Sequence, residues 1–437
     1  MTAPTAPTKV LFVSGSAASS TLRYRVRLPE EALRSRGVRT AAVHSSDRRT
    51  VGLAQRADVV VLYRAPASRD MFNLLQRLRE RPVPPLITYD CDDLVFRTQH
   101  LAGMDFVAGL PPKQREMFVR DVGLRARLVP YADLLTGSTQ QVLDELGQLS
   151  PAPTALLPNG VGRLGLELAD KARLTERTHE GFRVGYFSGS ATHDADWAAV
   201  ENGVVEFLRG HPKAELWLVG KVTPTGALAP VSDQVRKVPS VDWHRLPALL
   251  RDVDVTLAPL DRNPFTEAKS AIKWLESALV ETPTIATPTP PFEVAIEDGR
   301  TGLLAEKPQD WGSALERLAA DPEERWALGR AAREAALEMY GPEASADRLL
   351  AVLTAGAPVR DVKGKAHNLP GGWRLNAIEL EAYPFAADIA GMDYVPSRRY
   401  QVSAVVGDFT AASRKVGRRY YKGARRRIGR LVAPLRG

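Results

Sequence analysis

Short apolar runs bounded by small or turn-forming residues, and separated by helix-length stretches, recur along the first 305 residues, and that rhythm leaves few folds open. KVLFV (9–13), TAAV (40–43), DVVVLY (58–63), PLITY (85–89), DLLTGS (133–138) and TALLPN (154–159) read as buried strands, because each is too short and too rich in aliphatic residues for a surface helix. Strands alternating with helices predict a parallel sheet wrapped by helices. The polar stretch from Leu164 to Glu180 breaks the rhythm, which restarts with FRVGYFSGS (182–190), AELWLVG (214–220), VDVTLAPL (253–260), TPTIAT (282–287) and TGLLA (301–305). The predicted fold class is therefore α/β, with two doubly wound parallel-sheet domains in series. The expected divisions are 1–165 for the first domain, 166–180 for a linker, 181–345 for the second domain, 346–360 for a closing helix and 361–437 for an extension.

The length of 437 residues suits two such domains with additions. Cys91 is the sole cysteine, which excludes an internal disulfide and a multi-cysteine zinc site and points to a reducing compartment. No metal is expected. The start lacks the charged and long apolar regions of a standard export signal, and no run of some 18 apolar residues occurs, so the expected location is the cytoplasm. The net charge of +8 is unevenly spread: residues 411–437 hold ten Lys or Arg and no acid, leaving the other 410 residues at −2. A basic partner site belongs to the tail, not to the folded body.

In open α/β sheets ligands sit beyond the carboxyl ends of the strands, where the loops carrying Gly15, Ser16, Gly189 and Ser190 fall. Neither loop has the spaced glycines of a dinucleotide fingerprint, and no Walker-type GK(S/T) is present. The most informative segment is PFTEAKSAIKWLESALVETPTIAT (264–287). On one continuous helix Lys269, Lys273 and Glu276 fall within about 60° of one another, apart from the apolar face of Ile272, Leu275 and Leu279. Two ammonium groups near a helix start suit a diphosphate and a following carboxylate suits ribose hydroxyls; the plainer alternative is an exposed ion pair between Lys273 and Glu276. YDCDDLVF (89–96) sets Asp90, Asp92 and Asp93 at the end of a strand, where Asp92 or Asp93 would orient a reacting hydroxyl or cap the next helix. Arg23, Arg25 and Arg27 follow the first strand, with Arg23 and Arg27 on one helix face, for an anionic ligand or for Glu30 and Glu31.

From Glu276 onward ESALVETPTIAT, together with PNGV (158–161), VGYFSGSATHD (184–194), LVG (218–220) and VDW…LPALLRDVDVTLAPL (241–260), resembles the retaining glycosyltransferases of the GT-B fold, the family-four or "glycosyl transferases group 1" type, over residues 9–355. The resemblance implies two Rossmann-like domains facing a cleft. It also implies transfer of a sugar from a nucleoside-diphosphate sugar to a polysaccharide or lipid-linked acceptor with retention of configuration, without a cofactor. By resemblance Glu276 holds the donor ribose and Lys273 the diphosphate, while Glu267, one residue out of register with the family's first glutamate, contacts the sugar. The basic pair usual after the first strand of the second domain is missing; Gly189, Ser190 and His193 stand there instead, His193 and Asp194 serving equally as a helix cap, and Lys221 is a further phosphate candidate.

Downstream of Phe409, Val416, Tyr420, Tyr421, Ile428, Leu431, Val432 and Leu435 form an apolar stripe opposite the basic residues on a helical wheel. Such a segment suits an anionic membrane surface, the expected partner of residues 411–437, in preference to nucleic acid. A peripheral position at the inner face of the cell membrane follows. The competing class is a non-catalytic GT-B-like binding or scaffold protein.

Overall fold

The computed structural model describes residues 6–16, 19–101, 105–189, 194–222 and 226–356. Strands β1 (Lys9–Ser14), β2 (Arg39–His44), β3 (Val59–Tyr63), β4 (Leu86–Cys91), β5 (Leu134–Gly137) and β6 (Thr154–Leu156) form one parallel sheet in the order β2-β1-β3-β4-β5-β6. Strands β7 (Arg183–Ser188), β8 (Glu215–Gly220), β9 (Val235–Val238), β10 (Val255–Ala258), β11 (Thr284–Ala286) and β12 (Leu303–Leu304) form the second, in the order β12-β11-β10-β7-β8-β9. Every pairing is parallel, so helical crossovers cover both faces and the central strands are buried throughout, which is why they read as unbroken apolar runs. The edge strand β9, Val-Arg-Lys-Val, escapes that reading because its two middle side chains are exposed and charged.

The strand order reverses direction beside β1 in the first sheet and beside β7 in the second. A crevice opens beyond the carboxyl ends at such a switch point. Glycine is required at two of the loops that shape these ends. A Cβ on Gly15 would stand 2.2 Å from the Arg64 carbonyl oxygen, and Gly220 has a φ of +96° with the Ser188 carbonyl oxygen 2.0 Å from where a Cβ would be.

Each sheet is sandwiched between apolar layers. In the second lobe Trp197, Trp274 and Trp311 are fully buried. The chain crosses between lobes at Pro158–Gly162 and returns at Gly341, where Val161 N–H donates to the Tyr340 carbonyl at 3.0 Å. The stretch 166–180 contains most of the helix Arg163–Arg173. The last described helix, Pro342–Ala355, lies back on the first lobe: Leu349 and Leu353 enter its core, and Arg36 pairs with Glu343 at 2.7 Å and Asp347 at 2.6 Å. The segment after β10 does the converse, sending Phe265 and Ala268 into the first lobe's core. Residues 361–437, with the amphipathic tail, lie outside the described residues. Among the described residues no helix is long and apolar enough to cross a membrane.

Candidate functional site between the lobes

The carboxyl ends of the two sheets face one another across a cleft of about 710 Å³. From the first lobe Arg23, Asp92 and Asp93 line it; from the second, Gly189, Lys269, Lys273 and Glu276 do. Seven of the side chains or loops singled out in the sequence thus meet at one place.

The second lobe's contribution rests on a broken helix. The chain turns through Pro264–Glu267, started by an Asn263 cap whose side chain accepts from Phe265 and Thr266 N–H at 3.0 Å each, then breaks and resumes as the helix Ile272–Ala278. The expectation of one continuous helix is therefore corrected. Lys269 sits in the intervening turn and reaches the cleft from there, while Lys273 and Glu276 share a helix face as their spacing predicts. Lys273 Nζ is buried and donates no hydrogen bond among the described residues; it lies 4.9 Å from the centre of the Tyr186 ring. Burial pushes its ammonium down to about 8, with Asp196 opposing that shift and Lys269 adding to it. An ammonium stripped of water and left without an acceptor is costly, and an anion entering the cleft removes that cost.

Glu276 accepts a hydrogen bond from the Tyr24 hydroxyl of the opposite lobe and lies 3.7 Å from Arg23 Nη1. Burial raises its carboxyl above the usual range, and Tyr24 and Arg23 pull it back. The Arg23 guanidinium stacks 3.8 Å from the centre of the Trp243 ring, which lines the same cleft. Arg23 opens a π-helical turn over Arg23–Arg27, in which Arg25 and Val26 are buried. Arg27 is on the surface with Glu30 at 2.8 Å, so Arg23 and Arg27 do not act together.

On the first lobe's side the acids are mostly spoken for. Asp90 is 3% exposed and bound by Arg25 Nε at 2.9 Å and by the Thr136 hydroxyl at 2.7 Å. Asp92 Oδ1 accepts from Arg64 Nε at 2.5 Å and from the Tyr63 hydroxyl at 2.9 Å. Asp93 is more open: among the described residues Oδ1 takes only the Leu94 N–H at 3.1 Å, and Oδ2 stands 4.0 Å from Arg64 Nη2. Burial pushes its carboxyl up to about 6, against the pull of Arg64 and Lys269.

Five sequence-based assignments are placed elsewhere. Arg25 spends its donors inside the first lobe, on Asp90, the Leu157 carbonyl at 2.6 Å and the Asn159 side chain at 3.2 Å; a buried Asp90 requires a cation, and Arg25 is the nearest. Gly15 and Ser16 pack against the Arg64–Pro66 loop and Thr21, so the first-strand loop shapes the cleft without lining it. Lys221 is exposed beyond β8. Glu267 turns to Arg262 at 3.0 Å on the rim, and Ala268, in the family's register position, is buried against the first lobe with its carbonyl accepting from Thr139 at 2.9 Å. Ser190 and His193 lie outside the described residues. Sequence reasoning missed Tyr24, Arg64 and Trp243. Arg64 carries a sequence signal, because it directly follows the predicted strand 58–63, at the carboxyl end where ligands sit; the structure holds it at a φ of 45°, a left-handed conformation rare for arginine.

Two parallel doubly wound lobes with facing carboxyl ends and a return helix define the GT-B architecture. Among solved structures the chain is similar to sucrose-phosphate synthase from Thermosynechococcus elongatus (TM-score 0.54, 17% identity, covering 79% of this chain and 98% of that one) and to Anabaena HepE in complex with UDP (TM-score 0.53, 13% identity, covering 79% and 100%). Residues 203–351 match the family described as glycosyl transferase-like. Curated relatives include D-inositol 3-phosphate glycosyltransferase of Pseudarthrobacter chlorophenolicus, 34% identical over 30% of this chain and 33% of the relative, and that of Corynebacterium jeikeium, 26% identical over 51% and 57%. The matched stretches thus span less than two thirds of either relative.

Proposed function

We propose that the chain is a retaining glycosyltransferase that takes a nucleoside-diphosphate sugar in the interlobe cleft and moves its sugar to a hydroxyl of a glycan or lipid-linked acceptor. The observation that carries this reading is the buried Lys273 ammonium, which has no hydrogen-bond partner among the described residues, beside Lys269 and three residues before Glu276 in a cleft between two sheet ends. In this reading Lys273 and Lys269 receive the diphosphate, whose charge grows as the sugar–phosphate bond breaks, and Glu276 accepts hydrogen bonds from the ribose. Gly189, where a Cβ would meet nothing within 4 Å among the described residues, leaves room for the phosphates to approach backbone. The acceptor hydroxyl comes from the first lobe's side, where Asp93 has an oxygen available and Asp92 is held by Arg64. Closure of the lobes excludes water, which limits hydrolysis of the donor.

The glycosyltransferase names among the relatives and the UDP held by Anabaena HepE support the donor class. The sole cysteine and the basic, amphipathic sequence of residues 411–437 support a cytoplasmic protein docked on an anionic membrane, with that tail as the docking element. A thermal-shift and turnover panel of UDP, GDP and ADP sugars tests the assignment. One base class should raise the unfolding midpoint with the logarithm of its concentration, and in Lys273→Met that shift should shrink and kcat/KM fall on the order of 10²–10³-fold. Binding without turnover under any acceptor would favour a scaffold role; no binding by any of the three would remove the donor reading.

A further inference from the structure

The donor side of the cleft is not built by the second lobe alone. Glu276 projects from the helix Ile272–Ala278, yet the group that holds its carboxylate, Tyr24, comes from the π-helical turn Arg23–Arg27 of the first lobe, 252 positions away in sequence. Tyr24 cannot trade roles with its partner, because burial and the adjacent carboxylate hold its phenol well above the usual range, so it is the donor and Glu276 the acceptor. The contact occupies Oε1 only; among the described residues Oε2 accepts no hydrogen bond. Arg23 supports the arrangement from both ends: its Nη1 donates to the Tyr24 hydroxyl at 3.2 Å and stands 3.7 Å from Glu276 Oε1, while its guanidinium rests on the Trp243 ring of the second lobe. A carboxylate with one oxygen clamped and the other open presents a fixed acceptor to a vicinal diol.

We propose that Tyr24 is a positioning residue for nucleoside recognition supplied from the opposite lobe: by clamping Oε1 of Glu276 it aims Oε2 at the ribose hydroxyls. This rests on the reading of Glu276 as the ribose acceptor. The diphosphate end of the ligand, held by Lys273 and Lys269, is independent of the clamp.

The test is a calorimetric double-mutant cycle on the full chain. UDP, GDP and ADP are titrated onto the wild type to find the tightest, which is then titrated onto Tyr24→Phe, Glu276→Ala and the double variant, with inorganic pyrophosphate titrated onto all four. A hydrogen bond to a charged group sets the scale: Tyr24→Phe should weaken the nucleotide about tenfold. It should leave pyrophosphate affinity unchanged, which also shows that the variant is folded, and it should cost nothing further once Glu276 is replaced by alanine and the acceptor is gone. Wild-type nucleotide affinity in Tyr24→Phe, or losses that simply add in the double variant, overturns the clamp while leaving the ribose assignment standing if Glu276→Ala alone weakens binding. If Glu276→Ala binds like the wild type, or if none of the three nucleotides binds, the ribose assignment itself fails and the clamp with it.

Discussion

The two sheet ends that face each other across the cleft treat charge in opposite ways. On the first lobe's side Arg25 with Asp90 and Arg64 with Asp92 are closed pairs, each supplemented by a hydroxyl from Thr136 or Tyr63. On the second lobe's side Lys273 has no hydrogen-bond partner among the described residues, and Lys269 stands near enough to depress it. Burying an ion is tolerable only when it is paired, so the two first-lobe pairs are complete as they stand while Lys273 is complete only with an anion in place. In the proposed reading the phosphates of a donor go to the side with an uncompensated ammonium, and a hydroxyl-bearing acceptor goes to the side where Asp93 offers an open oxygen.

The comparison breaks most visibly if paired and unpaired cations are removed in turn. Arg25→Met leaves Asp90 as a buried uncompensated charge, and we expect a loss of about 3–5 kcal/mol in unfolding free energy, measured by urea denaturation, with little change in nucleotide affinity of the folded fraction. Lys273→Met should do the reverse. It removes a desolvated ammonium, so the ligand-free protein should unfold at a higher urea concentration, while kcat/KM for the donor falls on the order of 10²–10³-fold. A Lys273→Met protein that is both less stable and equally active would erase the distinction between the lobes.

Asp93 sharpens the account of the first lobe. If its open oxygen orients the acceptor hydroxyl, Asp93→Asn should lower kcat about 100-fold without altering donor binding. The ionisations then predict a bell-shaped kcat/KM profile, in which activity falls on the acid side as Asp93 is protonated near 6 and on the alkaline side as Lys273 loses its proton near 8. The linkage to stability has a defined sign as well. Lys273 binds its proton more weakly folded than unfolded, so between its folded value and about 10.4 the unfolded chain carries more protons and this group favours the folded state increasingly as pH rises. The smallest effect belongs to the rim. Glu267→Gln loses an exposed pair with Arg262 and should leave turnover within about twofold of the wild type; a loss approaching that of Asp93→Asn would mean that the carboxylate swings into the cleft.

Much of this architecture is legible in the amino-acid sequence. The central strands announce themselves as apolar runs because parallel sheets bury both faces, and the edge strand Val235–Val238 was unreadable for the complementary reason, its exposed Arg236 and Lys237. Lys273 and Glu276 were legible because an i,i+3 relation survives in any helix. Lys269 reached the same site by another route, since the wheel that included it assumed a helix that breaks before Ile272. Arg25 was misplaced for want of the one fact sequence withholds, which neighbour completes a charge: the turn that sends Arg23 outward sends Arg25 to Asp90. Tyr24 carries no local pattern and Trp243 only its place in the VDW run, and the contacts they make exist because two distant segments meet across the lobes. The tail remains as sequence describes it, a basic amphipathic stripe, and liposome sedimentation of the full chain against residues 1–408 tests its docking role.

The claim on which the rest depends is that the Lys273 ammonium meets a diphosphate, and calorimetric titration of the tightest of UDP, GDP and ADP across pH 6.5 to 9.5 addresses it most directly. Affinity should be greatest below about 8 and decline above it in the wild type, and in Lys273→Arg, whose guanidinium keeps its charge, the alkaline decline should disappear. An affinity that is flat across that range in the wild type, or that declines identically in Lys273→Arg, contradicts the account.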